Sequence, residues 1–116
     1  MIKHNSELFQ FHLGNKTIFL VKNDIKMMEA NESYTIITMI DDITYRSTKC
    51  LTNCCKELNS DFIIHFCRQF AVNSNHMKTY NEINFIVEFS NGVPLQLTKI
   101  QGNDLKKELR KNIDSL

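Results

Sequence analysis

Polar turn signals recur so closely along this chain that few long elements fit between them. They fall at Gly14-Asn15, Asn23-Asp24, Asn31-Glu32-Ser33, Asp41-Asp42, Asn59-Ser60-Asp61, Asn73-Ser74-Asn75 and Asn91-Gly92. These residue types turn a chain because glycine and asparagine tolerate positive φ and because Asn, Asp and Ser bond their own backbone. The segments between them (17–22, 34–40, 43–48, 62–67, 83–89 and 94–98) are rich in β-branched and aromatic residues, which predicts short strands. Phe85, Val87 and Phe89 alternate with Ile86, Glu88 and Ser90, so that strand has one apolar face. Asn91-Gly92 has the composition of a type I′ turn and predicts that the last two strands pair directly.

Two stretches have helical periodicity instead. Leu51, Cys54, Cys55 and Leu58 fall at i, i+3, i+4 and i+7, one stripe of a short internal helix. Leu105, Leu109 and Ile113 recur every four residues after Gly102, with Asn103 or Asp104 placed to cap a C-terminal helix. Its outer residues Lys106, Lys107, Arg110 and Lys111 either add nonspecific attraction for a polyanion or form an ordinary charged surface, balanced in part by Asp104 and Glu108. The fold class is therefore mostly β, with one short internal helix and one C-terminal helix.

At 116 residues, 42% of them apolar, the chain can build one core and one domain. Fourteen Lys plus Arg against thirteen Asp plus Glu leave a charge of +1, which excludes a protein that coats nucleic acid without regard to sequence. Its apolar runs fall far short of the roughly 18 residues that a spanning helix needs. Residues 1–7 carry no apolar targeting segment, so no membrane association and a cytoplasmic location are expected. Cys50, Cys54, Cys55 and Cys67 should then be reduced thiols without a structural disulfide. Their spacing lacks the paired C-x2-C of a zinc site, so neither metal nor cofactor is expected. The motifs of common catalytic classes, G-x-S-x-G, H-E-x-x-H and C-x-x-C among them, are absent. His65 and Cys67, two apart on an expected strand, would share a face, but proximity alone does not activate a thiol. No enzyme activity and no small-molecule substrate are expected.

Three segments are more specific than core packing requires. Residues 25–30, Ile-Lys-Met-Met-Glu-Ala, precede a polar turn and then Tyr34 to Ile37; residues 65–73 run His-Phe-Cys-Arg-Gln-Phe-Ala-Val-Asn; residues 91–99 run from Asn-Gly to Thr-Lys. In order and spacing they resemble the "I-x-x-I-E-A", "Y-x-x-I", "F-x-R-I-H-R-S-Y-x-V-N" and "N-G-x-x-x-x-V-S-R-R" elements of the LytTR family of bacterial DNA-binding domains, with residues 51–58 in the place of its short helix. The resemblance extends from about Thr17 to Leu109. It divides the chain into an N-terminal extension, 1–16, and a LytTR-type domain, 17–116.

The resemblance implies an elongated, multi-stranded β module of a transcription regulator whose loops at strand ends enter successive grooves of double-stranded DNA. Sixteen residues before Thr17 are too few for the receiver domain that family members often carry. Carried over by position, the reading loops hold Asn31, Ser33 and Tyr34, then His65 and Arg68, then Lys99 after Thr98. Long polar side chains there can reach base edges while flanking cations anchor on phosphates. Arg46 and Lys49, flanking the entry to the first helix, are phosphate candidates and equally solvated charges. Tyr34 can use its hydroxyl or pack, His65 can donate when protonated or serve the strand, and Asn73 should support a turn. Two departures reduce cationic strength: His65, Cys67 and Arg68 stand where the family has Arg, His and Arg, and Ile100 follows Lys99 where a second basic residue is common. They motivate an alternative, a protein interaction module on the same fold that has lost base recognition, and a weaker one, a thiol or metal sensor built on Cys67 and the helix cysteines. Two copies on DNA, as a homodimer, are expected at half-sites about one helical turn apart.

Overall fold

A computed structural model describes residues 7–114, with side chains to residue 111. Ten strands and two helices follow one another as β1 (Leu8–Leu13), β2 (Lys16–Val21), β3 (Ile25–Asn31), β4 (Tyr34–Met39), β5 (Thr44–Ser47), α1 (Leu51–Leu58), β6 (Ile63–His65), β7 (Phe70–Asn73), β8 (Met77–Asn81), β9 (Ile86–Phe89), β10 (Leu95–Gln96) and α2 (Lys99–Asp114). All strand pairs are antiparallel. They form a hairpin β1-β2, a five-stranded sheet β5-β4-β3-β7-β6 and a three-stranded sheet β10-β9-β8.

The five-stranded sheet is the middle layer, with a core on each face. On one face Ile25, Met28, Ile37, Met39 and Ala71 meet Leu51, Cys54 and Leu58 of α1 and Phe9, Phe11 and Leu20 of the hairpin. On the other, Phe70 and Val72 meet Val87, Phe89, Leu95, Leu97 and Leu105 from the smaller sheet and α2. The strand β7 is buried on both sides, as its unbroken Phe-Ala-Val run suits. Ile25 and Met28 reach the same core although three residues apart, because a bulge between Ile25 and Met27 shifts the register. The particle measures 44 × 33 × 24 Å. No helix among the described residues is long and apolar enough to cross a membrane.

Several sequence expectations change in detail. Part of the segment set apart as the extension 1–16 is β1, which turns through Gly14-Asn15 into β2 and places Phe9 and Phe11 in the core; residues 1–6 lie outside the described residues. Gly14 has φ +63°, as the first central residue of a type II′ turn requires. The apolar run 62–67 is not one strand: β6 ends at His65 and the chain turns through Phe66 to Gln69. Cys67 therefore sits in a turn and does not share a strand face with His65. The run 83–89 becomes strand only from Ile86, with Phe85 at φ +59°, and Met77–Asn81 is a strand that its polar composition hid.

The last two strands do pair, Leu95 with Val87 and Gln96 with Ile86, but residues 90–94 connect them, longer than a type I′ turn. What shapes that connection is a buried lysine. Lys26, 1% exposed, forms an ion pair with Asp42 and lies 5.0 Å from the centre of the Phe89 ring. The Asp42 carboxylate also accepts from Val93 N at 3.1 Å, so the pair fastens the five-stranded sheet to the β9-β10 connection. Finally, α2 starts at Lys99 and not after Asn103. Thr98 Oγ1 accepts from Gln101 N at 3.1 Å and Gln101 Oε1 accepts from Thr98 N at 3.0 Å, a reciprocal capping box. The side chain of Ile113, the last member of the expected stripe, lies outside the described residues.

Candidate nucleic-acid interface

Strand register decides which loops share an end of the central sheet. Asn31 pairs with Tyr34 across Glu32-Ser33, so the β3-β4 turn marks that end, and Glu32 bends it at φ +56°. Glu29 faces Phe70, which places the β6-β7 turn beside it, and Thr35 faces Ser47, which brings up the exit of β5 and the start of α1. Two hydrogen bonds hold these pieces: Ala30 N donates to Gln69 O at 2.8 Å and Thr35 Oγ1 donates to Lys49 O at 2.7 Å. A shallow cleft opens there between Ala30, Cys50 with the first residues of α1 (Leu51 and Thr52), and His65 to Arg68.

The start of α2 joins the same end through side chains. Gln101 Nε2 donates to Gln69 Oε1 at 3.1 Å, and Gln69 Nε2 donates to Glu29 Oε2 at 3.3 Å. Arg68, next to Gln69, and Lys99, next to Thr98, are both exposed. Lys99 is the first residue of α2. Three loops that are far apart in sequence are therefore contiguous. Gln69 and Gln101 were not among the residues expected to matter, although Thr98-x-x-Gln101 is a legible capping signal.

The remaining candidates divide by what they already hold. Asn31 and Tyr34 are half-buried, Ser33 and His65 exposed. The Arg46 guanidinium on β5 lies over the Tyr34 ring, 4.3 Å from its centre, so the two are one cation–π unit at the rim of this end. Lys49 is brought to the same end, but its ammonium is held by both Glu57 carboxylate oxygens at 2.5 and 2.7 Å, which reduces the charge it offers a phosphate. On α2, Lys106 pairs with Glu82 and Lys111 with Glu108, as a balanced charged surface would. Exposed Glu32 and half-buried Glu29 add negative charge, so the basic character of the end rests on Arg46, Arg68 and Lys99.

Cys50 and Cys67 line the same cleft, but the four cysteines do not gather at one point. Cys54 belongs to the first core and Cys55 packs against it, while Cys67 packs against the second. Burial pushes both helix thiols up, Cys55 to about 12, which keeps them protonated. Among the described residues no three or more His, Cys, Asp or Glu side chains are placed to hold a metal ion. Asn73 behaves as a turn support: fully buried, it donates to Ile25 O at 2.9 Å and accepts from Asn75 N at 2.8 Å.

Comparison with known proteins finds the LytTr DNA-binding domain family matching residues 15–110. Among solved structures, a LytTr DNA-binding domain from Bacillus cereus has a TM-score of 0.70, covering 89% of this chain and 96% of that one at 21% identity, a likeness of fold. No curated protein sequence matches.

Proposed function

The chain belongs to the family of LytTr DNA-binding domains, and we propose that it is a sequence-specific transcriptional regulator that reads double-stranded DNA with the loop cluster at one end of its central sheet. Arg68 and Lys99 reach base edges in this reading; Asn31, Ser33, Tyr34 and His65 line the same surface, and Arg46 approaches the phosphates. Lys49 contributes little while Glu57 holds it. Such a protein works in the cytoplasm, without catalysis, and two copies on one duplex take half-sites about one helical turn, ~34 Å, apart.

The observation that carries the reading is the joining of the β6-β7 turn to the start of α2 by the Gln69–Gln101 hydrogen bond, with the Ala30–Gln69 bond adding the β3-β4 turn. With exposed Arg68 beside one bond partner and exposed Lys99 near the other, a duplex lying on these joined loops would meet both cations in this reading. A second reading, an interaction module without base recognition, is favoured by two acidic neighbours of the loops. The Lys49–Glu57 pair and exposed Glu32 dilute the positive potential at this end.

Affinity for promoter duplexes measured across a salt series separates the two. A phosphate-bound cation adds about −0.9 to the slope of log K against log salt. We expect a steep slope for the wild type, flattened by about one in Arg68→Ala and in Lys99→Ala where that residue touches phosphate, or loss of sequence preference at unchanged slope where it touches a base. No binding to any fragment would leave the interaction module.

A further inference from the structure

Gln69 and Gln101 stand where two of the loops meet, and the structure commits both side-chain amides inside the protein. Gln69 Oε1 accepts from Gln101 Nε2 and Gln69 Nε2 donates to Glu29 Oε2, while Gln101 Oε1 accepts from Thr98 N. A glutamine that reads adenine presents its carbonyl and its amide together to the base. Both glutamines already hold a protein partner at the amide nitrogen and at the carbonyl oxygen. The run Glu29, Gln69, Gln101, Thr98 instead ties the end of β3, the β6-β7 turn and the first turn of α2 into one piece.

The need for such a tie follows from the topology. The β6-β7 turn belongs to the five-stranded sheet, whereas α2 leaves the three-stranded one. Deep in the molecule the second core joins these layers, but at the surface the amide pair spans them. Arg68 and Lys99 are direct chain neighbours of Gln69 and Thr98, so the bond restrains how far apart the two cations project. We propose that the Gln69–Gln101 pair is a positioning device that sets the separation at which Arg68 and Lys99 meet the duplex, and with it the spacing of the base pairs recognised. The proposal rests on the DNA-binding reading above. Because exposed amide bonds add little net stability, breaking this one should change recognition and leave folding intact.

The test uses the full chain and a duplex that it selects from a randomised library. The base pairs read by each cation are located as those whose preference Arg68→Ala or Lys99→Ala abolishes. One base pair is then inserted or removed between them. Wild type should lose about tenfold or more in affinity, the scale of a mismatched contact. Gln69→Met should lose less than about threefold on that scale, with its salt slope and thermal midpoint unchanged. Gln101→Glu keeps the acceptor that caps Thr98 but cannot donate to Gln69. Its added charge weakens all duplexes alike, yet its spacing ratio should collapse to the same value, and adding Gln69→Met should change that ratio no further. Wild-type spacing ratios in Gln69→Met and Gln101→Glu overturn this proposal alone. Failure to enrich any duplex, or enrichment indifferent to both Arg68→Ala and Lys99→Ala, overturns the DNA-binding reading together with it.

Discussion

A lysine with 1% of its side chain exposed needs a partner for its charge inside the protein, and Lys26 has Asp42 on one side and the face of Phe89 on the other. Gly92 makes room for that arrangement. It has φ +87°, and a Cβ there would stand 2.5–2.6 Å from the Asp42 carboxylate and the Lys26 ammonium. Gly92→Ala should therefore destabilise by at least the roughly 1–2 kcal/mol of a left-handed L residue, with the collision added, visible as a lower denaturant midpoint. The hydrogen bond from Lys26 also holds the Asp42 carboxyl below its ordinary 3.8. A depressed carboxyl stabilises the folded state above the ordinary value, and that contribution disappears as pH falls through the folded one. Asp42→Asn should be less stable than wild type at neutral pH, and its stability should fall less between about pH 4 and pH 2. Lys26→Met, which removes the buried charge and keeps the stem, should cost less than Asp42→Ala, which strands that charge. None of this was legible in the sequence, where Lys26 reads as one more surface cation and Asn91-Gly92 as a simple hairpin turn. A turn residue's tolerance for positive φ is local, but the reason Gly92 is needed comes from a strand that lies far from it in sequence.

Among the elements, the two helices show what local chemistry conveys. The bounds of α1 follow from its four-residue stripe, and it stops at Asn59, whose φ of +45° is the left-handed end that asparagine tolerates. The start of α2 was hidden because Gly102 looks like a breaker. Its hydrogen is required by packing, since a Cβ there would collide with the Tyr80 hydroxyl and stand 2.9 Å from Phe85. The true start is written in Thr98-x-x-Gln101. Thr98→Ala removes the cap acceptor for Gln101 N and should lower stability by about 1 kcal/mol, read in thermal or denaturant unfolding. Of the strands lost in sequence reading, β1 does alternate, with Phe9 and Phe11 buried and Gln10 and His12 exposed, but it lies in the stretch set apart as an extension. In β8 a register shift between Met77 and Thr79 leaves the adjacent Lys78 and Thr79 both exposed and breaks the alternation. The apolar run before Arg68 misled in the opposite direction, because Phe66 stays buried after the strand has ended, its ring stacked 6.4 Å from that of Phe70.

At the scale of the whole molecule, the order of segments carried the family and the layered β fold, since motifs of fixed spacing persist where single residues vary. The residues named from those motifs fall largely at one end of the central sheet, whereas the bonds that gather them, from Gln69 and Gln101, depend on two sheets meeting and had no sequence signature beyond a helix cap. The opposite end of the sheet carries Asp42 and the connection 90–94, and the hairpin β1-β2 covers the first core; neither takes part in the surface assigned to DNA. Backbone amide shifts followed while a selected duplex is titrated into the chain test this division directly. The account predicts that the largest changes cluster at residues 31–34, 65–69 and 98–101, with the hairpin and the Asp42 end quiet. Changes centred on the β1-β2 hairpin or on residues 90–94 would contradict it.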